Sequence, residues 1–242
     1  LSQAANPAPD QVALFLDFDG TLIDFAPRPE TVTVPPDLPA TLERAEQRLD
    51  GALALLSGRT IAELDRFLTP LRLRASGIHG AEMRTDPEAA AEAVCPLPTT
   101  MARSVRRILA DFPGTLLEDK GVTLSIHYRA VPHVEAPLRA ALAEYVAGHD
   151  AQKLELAAGE KVFEIKPPGF DKGGALRRFM QMAPFAGRRP VFVSDHEIDQ
   201  AGFDAALALG GEAFSVGTRL PGTTGAFDNP ADVRAWLRTI GA

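Results

Sequence analysis

The chain has 242 residues, 45% of them hydrophobic, enough to bury a core as one large domain or as a core with a smaller companion. Its formal charge is −7 and it carries no basic run, which argues against nucleic-acid binding; an anionic substrate has to be drawn by a local cluster or a metal. The single cysteine, Cys95, excludes an internal disulfide and fits a reducing compartment such as the cytoplasm, and no apolar run is long enough to span a membrane.

Residues 1–10 lack a charged-then-apolar signal pattern and read as a disordered leader, and the missing initiator Met reads as a terminus that is incomplete or processed. Val12–Leu16 is a short, continuous apolar run, as are Ala52–Leu56, Pro190–Val193 and Ala213–Val216. Such runs are expected of parallel strands covered on both faces. The first run ends in Asp17-Phe18-Asp19-Gly20-Thr21. Two carboxylates this close repel unless a cation lies between them, and hard oxygen ligands suit Mg²⁺. An ordinary turn with solvated acids explains the same residues, so the motif alone leaves both readings open. Ser57-Gly58-Arg59 follows the second run, where a hydroxyl and loop N–H groups can hold a phosphate oxygen. Thr60 and Glu63 then form a capping box that opens a helix.

The middle of the chain changes period. Residues 98–167 read as helix then hairpin, twice, with alternating strands suited to a sheet covered on one face. We therefore expect an α/β core in two parts, residues 11–97 and 168–242, interrupted by an α+β domain at 98–167. After the interruption Asp171 caps a helix whose first turn holds Lys172, and Leu176, Phe179 and Met180 share a face. A lysine in a first helical turn is unfavourable with the dipole unless something anionic lies beside it. Asp195 and Asp199 follow the Pro190–Val193 strand, and a last helix starts at Asn229-Pro230.

Asp17-Phe18-Asp19-Gly20-Thr21-Leu22 after an apolar strand resembles the first motif of the haloacid dehalogenase superfamily, and Ser57, Lys172 and Asp195 follow in that superfamily's order. The resemblance implies a Rossmann-like parallel-sheet core with an inserted αββ-αββ cap. It also implies that Asp17 is the nucleophile, that Asp19 is the general acid and base, and that Lys172 and Ser57 with Gly58 hold the phosphoryl group. Asp17, Asp195 and the backbone carbonyl of Asp19 would bind Mg²⁺. Thr21, Arg59, His196 and Asp199 would act behind those residues.

"SGRTIAEL", "GIHGAEMR", "LEDKGVTLSIHYR" and "EIKPPGFDKG" are together similar to the trehalose-6-phosphate phosphatase family, over most of the chain after Gln11. That similarity implies a cap whose Glu118, Lys120 and Glu164 read sugar hydroxyls and a small-molecule phosphosugar substrate; the charge and hydropathy above give no nucleic-acid or membrane partner, and a monomer is expected. His127 alternates with apolar residues and is expected to pack inside the cap; His79 is expected to pack near the site. The fourth motif departs from the family's G-D-D-x-T-D-E. His196 and Gln200 replace two of its acids, so weaker Mg²⁺ binding is expected. Alternatives are a sucrose-phosphate or mannosyl-phosphate phosphatase, or a non-catalytic phosphosugar-binding protein that retains the fold.

Overall fold

The computed structural model of the chain describes residues 11–24, 32–93, 96–149, 154–159 and 161–241. The leader expected at residues 1–10 and the lone Cys95 lie outside them. The chain divides into two compact units, residues 1–92 with 171–242, and residues 93–170.

The first unit begins with β1 (Val12–Leu16), α1 (Leu38–Arg48), β2 (Leu53–Leu56), α2 (Ile61–Leu68), β3 (Arg74–Gly77) and β4 (Glu82–Arg84), with β5 (Glu92–Ala93) at its end. In the second unit α3 (Thr99–Leu109), β6 (Leu116–Asp119) and β7 (Leu124–His127) are followed by α4 (Glu135–Ala147), β8 (Glu155–Gly159) and β9 (Val162–Lys166). The first unit resumes with α5 (Lys172–Phe179), β10 (Arg189–Ser194), α6 (Gln200–Ala208), β11 (Glu212–Val216), β12 (Gly225–Phe227) and α7 (Pro230–Ile240). Among the described residues no helix is long and apolar enough to cross a membrane.

The large sheet has the order β12-β11-β10-β1-β2-β3-β4-β5. Its central strands are parallel, with Leu14 opposite both Val191 and Leu53. Strand β4 is antiparallel to β3, so the expected parallel sheet is mixed at that side. Residues of β1 and β2 are fully buried, which is why both read as unbroken apolar runs. Phe15 stacks on Phe185 at 5.3 Å between ring centres and meets Phe179 of α5 at 6.0 Å. Each such ring is worth about 1.5–3 kcal/mol of burial.

The expected helix starts are present. Thr60 accepts from the Glu63 amide in a full capping box, and Asn229 accepts from the Asp232 amide with Pro230 following. Asp171 Oδ1 accepts from the Gly174 amide at 2.6 Å, opening α5 at Lys172. Helix α5 packs on α6 so closely that a Cβ on Gly173 would lie 2.1 Å from the Ala201 carbonyl oxygen.

The second unit repeats helix–strand–strand, and its sheet has the order β6-β7-β9-β8. One face of that sheet, including Leu124, Ile126, Phe163 and Ile165, packs with Val105 of α3 and Leu138 and Leu142 of α4. The opposite face is polar. Glu118 pairs with Ser125 and Ser125 with Glu164, which sets these side chains in one row across three strands.

Candidate active site

Strand β1 delivers Asp17 to the carboxyl end of the parallel sheet, where ligands bind in open α/β folds. The Asp17 amide donates to the Val193 carbonyl at 2.9 Å, tying the first acid to the end of β10. Beyond it the chain turns back: Leu22 N donates to Phe18 O and Gly20 N to Ile23 O. Gly20 has φ +72°, a backbone shape that costs other L residues energy.

Lys172 reaches the same point from the start of α5. Its Nζ lies 2.7 Å from Asp17 Oδ1 and 2.6 Å from Asp199 Oδ2, and all three residues are buried. The lysine therefore has the anionic company that its place in a first helical turn requires. Ser194, at the end of β10, hydrogen-bonds Asp199 and lies 3.3 Å from Asp17 Oδ2. This hydroxyl links the two acids, a role the sequence reading did not assign; the available signal was a polar residue closing an apolar strand.

Burial pushes the Asp17 carboxyl up to about 7, with Lys172 opposing and Asp199 and Asp195 adding to the rise. Burial acts against the Lys172 ammonium, but Asp17 and Asp199 outweigh it and raise its pKa. Asp195 is also raised, chiefly by burial. Thr21 Oγ1 stands 3.5 Å from Asp195 Oδ1. His196 points elsewhere: it is exposed, and its Nδ1 accepts from the Ile198 amide at 3.1 Å, capping a short turn that carries Asp199 inward.

Asp19 faces Arg59. Nε and Nη2 of the guanidinium donate to its two carboxylate oxygens at 2.6 and 2.7 Å, a paired contact that raises the Arg59 pKa further. Arg59 also lies over the Phe67 ring at 4.9 Å, and its amide donates to Ser57 Oγ at 3.1 Å. Ser57 is buried at the end of β2. The His79 imidazole packs against Gly58, where an added Cβ would lie 2.7 Å from Nε2, so His79 does lie beside this loop.

A cation suits this acid set. Burial, with Asp199 and Asp195 adding to it, disfavours the Asp17 carboxylate in spite of Lys172, and a further positive charge would favour it. Among the described residues no three His, Cys, Asp or Glu side chains are arranged to hold a metal ion. The donors at hand are Asp17, Asp195 and backbone carbonyls, an all-oxygen set of the kind Mg²⁺ completes with water and substrate phosphate.

Glu118, Lys120 and Glu164 are in the second unit. Lys120 Nζ lies 3.9 Å from Glu118 Oε2, and Glu164 Oε1 accepts from Ser125 Oγ at 3.1 Å. His127 is not packed inside, as its apolar neighbours suggested. It sits on the polar face, 41% exposed, with Nε2 at 3.0 Å from Glu118 Oε2. The alternation was read correctly but assigned to the wrong face: Leu124 and Ile126 are the buried partners, Ser125 and His127 the polar ones.

A mostly parallel sheet with an acid pair at a strand end, a hydroxyl on the next strand and a buried lysine bridging to a further acid is the arrangement that the sequence's resemblance to the haloacid dehalogenase superfamily implies. The family model for trehalose-phosphatase matches residues 15–219, and the chain belongs to that family. It is 39% identical over 232 residues to trehalose-6-phosphate phosphatase of Escherichia coli strain K12, covering 94% of this chain and 86% of that one. It is 37% identical over 216 residues to a probable trehalose-phosphate phosphatase of Sinorhizobium fredii, covering 88% and 80%. Among solved structures, a trehalose-6-phosphate phosphatase related protein superposes with a TM-score of 0.75 at 22% identity, covering 95% and 96% of the two chains. The C-terminal domain of the C. albicans trehalose-6-phosphate phosphatase gives 0.76 at 18%, covering 96% and 93%. These two share the fold. The chain is accordingly a phosphoric monoester hydrolase.

Proposed function

We propose that the chain hydrolyses trehalose 6-phosphate to trehalose and phosphate, in trehalose biosynthesis, through a phosphoaspartyl intermediate and with Mg²⁺. The observation that carries the mechanism is the buried Asp17–Lys172–Asp199 chain, which fixes one oxygen of Asp17 against an ammonium and leaves the carboxylate as nucleophile. The substrate rests on the similarity to the relatives named above.

Asp17 attacks phosphorus, a P–O bond forms to its carboxylate, and the bond from phosphorus to the sugar oxygen breaks. Asp19 gives its proton to that departing oxygen. It then takes a proton from water as the water attacks the phosphoaspartate, which releases phosphate and restores Asp17. Arg59 donates to both oxygens of Asp19 in this structure, so that contact opens before Asp19 carries the proton it gives to the departing oxygen. Ser57, the loop at Gly58 and Lys172 hold the phosphoryl oxygens. Asp17, Asp195 and the Asp19 carbonyl would hold Mg²⁺, whose charge offsets the repulsion between Asp17 and the phosphate dianion. Glu118, Lys120 and Glu164 bind sugar hydroxyls through charge-assisted hydrogen bonds. His196 and Gln200 supply less negative charge than two further acids, so a higher Mg²⁺ requirement belongs to the reading. So does a monomeric enzyme of the cytoplasm, with residues 98–167 as its cap.

The test is phosphate release with excess Mg²⁺ from trehalose 6-phosphate, sucrose 6-phosphate and a mannosyl phosphate. Preference for the first, abolished by a chelator, supports the reading. Equal rates on all three refute the substrate, and no release from any refutes the function.

A further inference from the structure

Strand β7 lies between the strands that carry Glu118 and Glu164, and each of these acids is anchored at one oxygen by a β7 side chain. His127 Nε2 meets Glu118 Oε2 at 3.0 Å, and Ser125 Oγ donates to Glu164 Oε1 at 3.1 Å. No hydrogen bond is made by the second oxygen of either carboxylate among the described residues. Each acid is thus held at one oxygen and offered at the other.

The neighbours of His127 direct it to this partner. In register it faces Leu116 on one side and Val162 on the other, neither of which has a side chain able to accept its N–H. Glu118, two residues along β6 from Leu116, is the diagonal neighbour and is within reach of a long side chain. Lys120 adds charge from the same strand, but at 3.9 Å from Oε2 it makes no close hydrogen bond. A free glutamate loses considerable rotamer freedom when it binds a ligand, and anchoring it beforehand removes part of that cost.

We propose that His127 is a positioning residue that aims the Glu118 carboxylate at a substrate hydroxyl. Strand β7, and not only its neighbours, then sets the preference for a polyhydroxylated phosphate ester. This deepens the proposed function and rests on its assignment of Glu118 to the sugar. With a proton on Nε2 the imidazole donates to Oε2, which leaves Oε1 as the acceptor for the sugar O–H. Ser125 performs the same service for Glu164.

The experiment compares kcat/KM for the sugar phosphate that the wild type prefers with kcat/KM for p-nitrophenyl phosphate, which has no sugar. The ratio cancels any loss of folded protein. His127→Ala should lower the ratio about tenfold, the loss expected for one hydrogen bond to a charged group. The change should fall mainly in KM, and His127→Gln, whose amide can donate from nearly the same place, should recover much of the loss. In a Glu118→Gln background, His127→Ala should add little, because the two residues act as a unit. A ratio unchanged by His127→Ala overturns the proposal. So does an equal effect in both backgrounds, which would mean that His127 acts without Glu118. A wild type that prefers no sugar phosphate to p-nitrophenyl phosphate overturns the proposed function as well; a clear wild-type preference that survives His127→Ala overturns this inference alone.

Discussion

Replacing Asp17 by Asn should reverse part of the chain's dependence on pH. Asp17 is buried, and its carboxyl is pushed from 3.8 to about 7. In the unfolded chain it releases its proton near 3.8, whereas the folded chain holds that proton until about 7. Folding therefore takes up a proton between these values. The contribution is full below 3.8 and is lost as the pH climbs to about 7. At 1.36 kcal/mol for each pH unit, moving the group from 3.8 to about 7 is worth about 4 kcal/mol at most. Asn cannot titrate, so the stability difference between wild type and Asp17→Asn should shift toward the variant by up to about 4 kcal/mol between pH 4 and pH 8. The assay is urea unfolding with a chelator present, followed by fluorescence of Trp236. This is the chain's single tryptophan and lies in α7 of the first unit, so the signal reports the unit that holds Asp17. Adding Mg²⁺ at pH 8 should stabilise the wild type and leave the variant much less affected. Parallel stability curves for the two proteins across this range would refute the account of a carboxyl crowded by burial and neighbouring acids.

Other substitutions test the rest of the site. Arg59→Lys replaces a two-pronged contact to Asp19 with a point charge, and kcat/KM for p-nitrophenyl phosphate should fall about tenfold; an unchanged value would show that the fork is dispensable. Gly173→Ala places a methyl group 2.1 Å from the Ala201 carbonyl oxygen, so α5 must move off α6. A loss of roughly 1–3 kcal/mol in urea unfolding, with turnover reduced further because Lys172 rides on the same turn, is the expected result. His196→Asp should lower the Mg²⁺ concentration needed for half-maximal phosphate release, and an unaltered titration counts against the idea that charge at this turn limits metal binding.

Features of the chain that depend on nearby residues were readable before any coordinates. The end of β1 announced Asp17 and Asp19, and Thr60, Asp171 and Asn229 marked helix starts because a cap bonds an amide only two or three positions away. The repeated helix–strand–strand order was legible from the change in hydrophobic period. What escaped depends on distant partners. Strand β4 contains Arg84, which looks unsuited to burial until its guanidinium meets Asp65 at 2.6 Å and the Leu73 carbonyl. Arg59 and Asp19 are brought together across β1 and β2, and nothing local to either predicts that contact. Ser194 resembled an ordinary strand end until Asp199 turned back upon it. His127 shows a different failure. Its strand was recognised, but which alternate side chains face the helices was decided by the register with β6 and β9.

The strand order has a consequence for how the protein is made. Strand β1 pairs with β2 on one side but with β10 on the other, and β10 begins only at Arg189. During synthesis at roughly 5–20 residues per second, the interval between completing β1 and completing β10 is about 9–36 seconds. Throughout that interval one edge of this wholly apolar strand lacks its complete neighbour, and Asp199, the second acid of the finished cluster, is made only after β10 ends. The nascent chain consequently carries an adhesive edge before the acid–lysine cluster at its end is assembled.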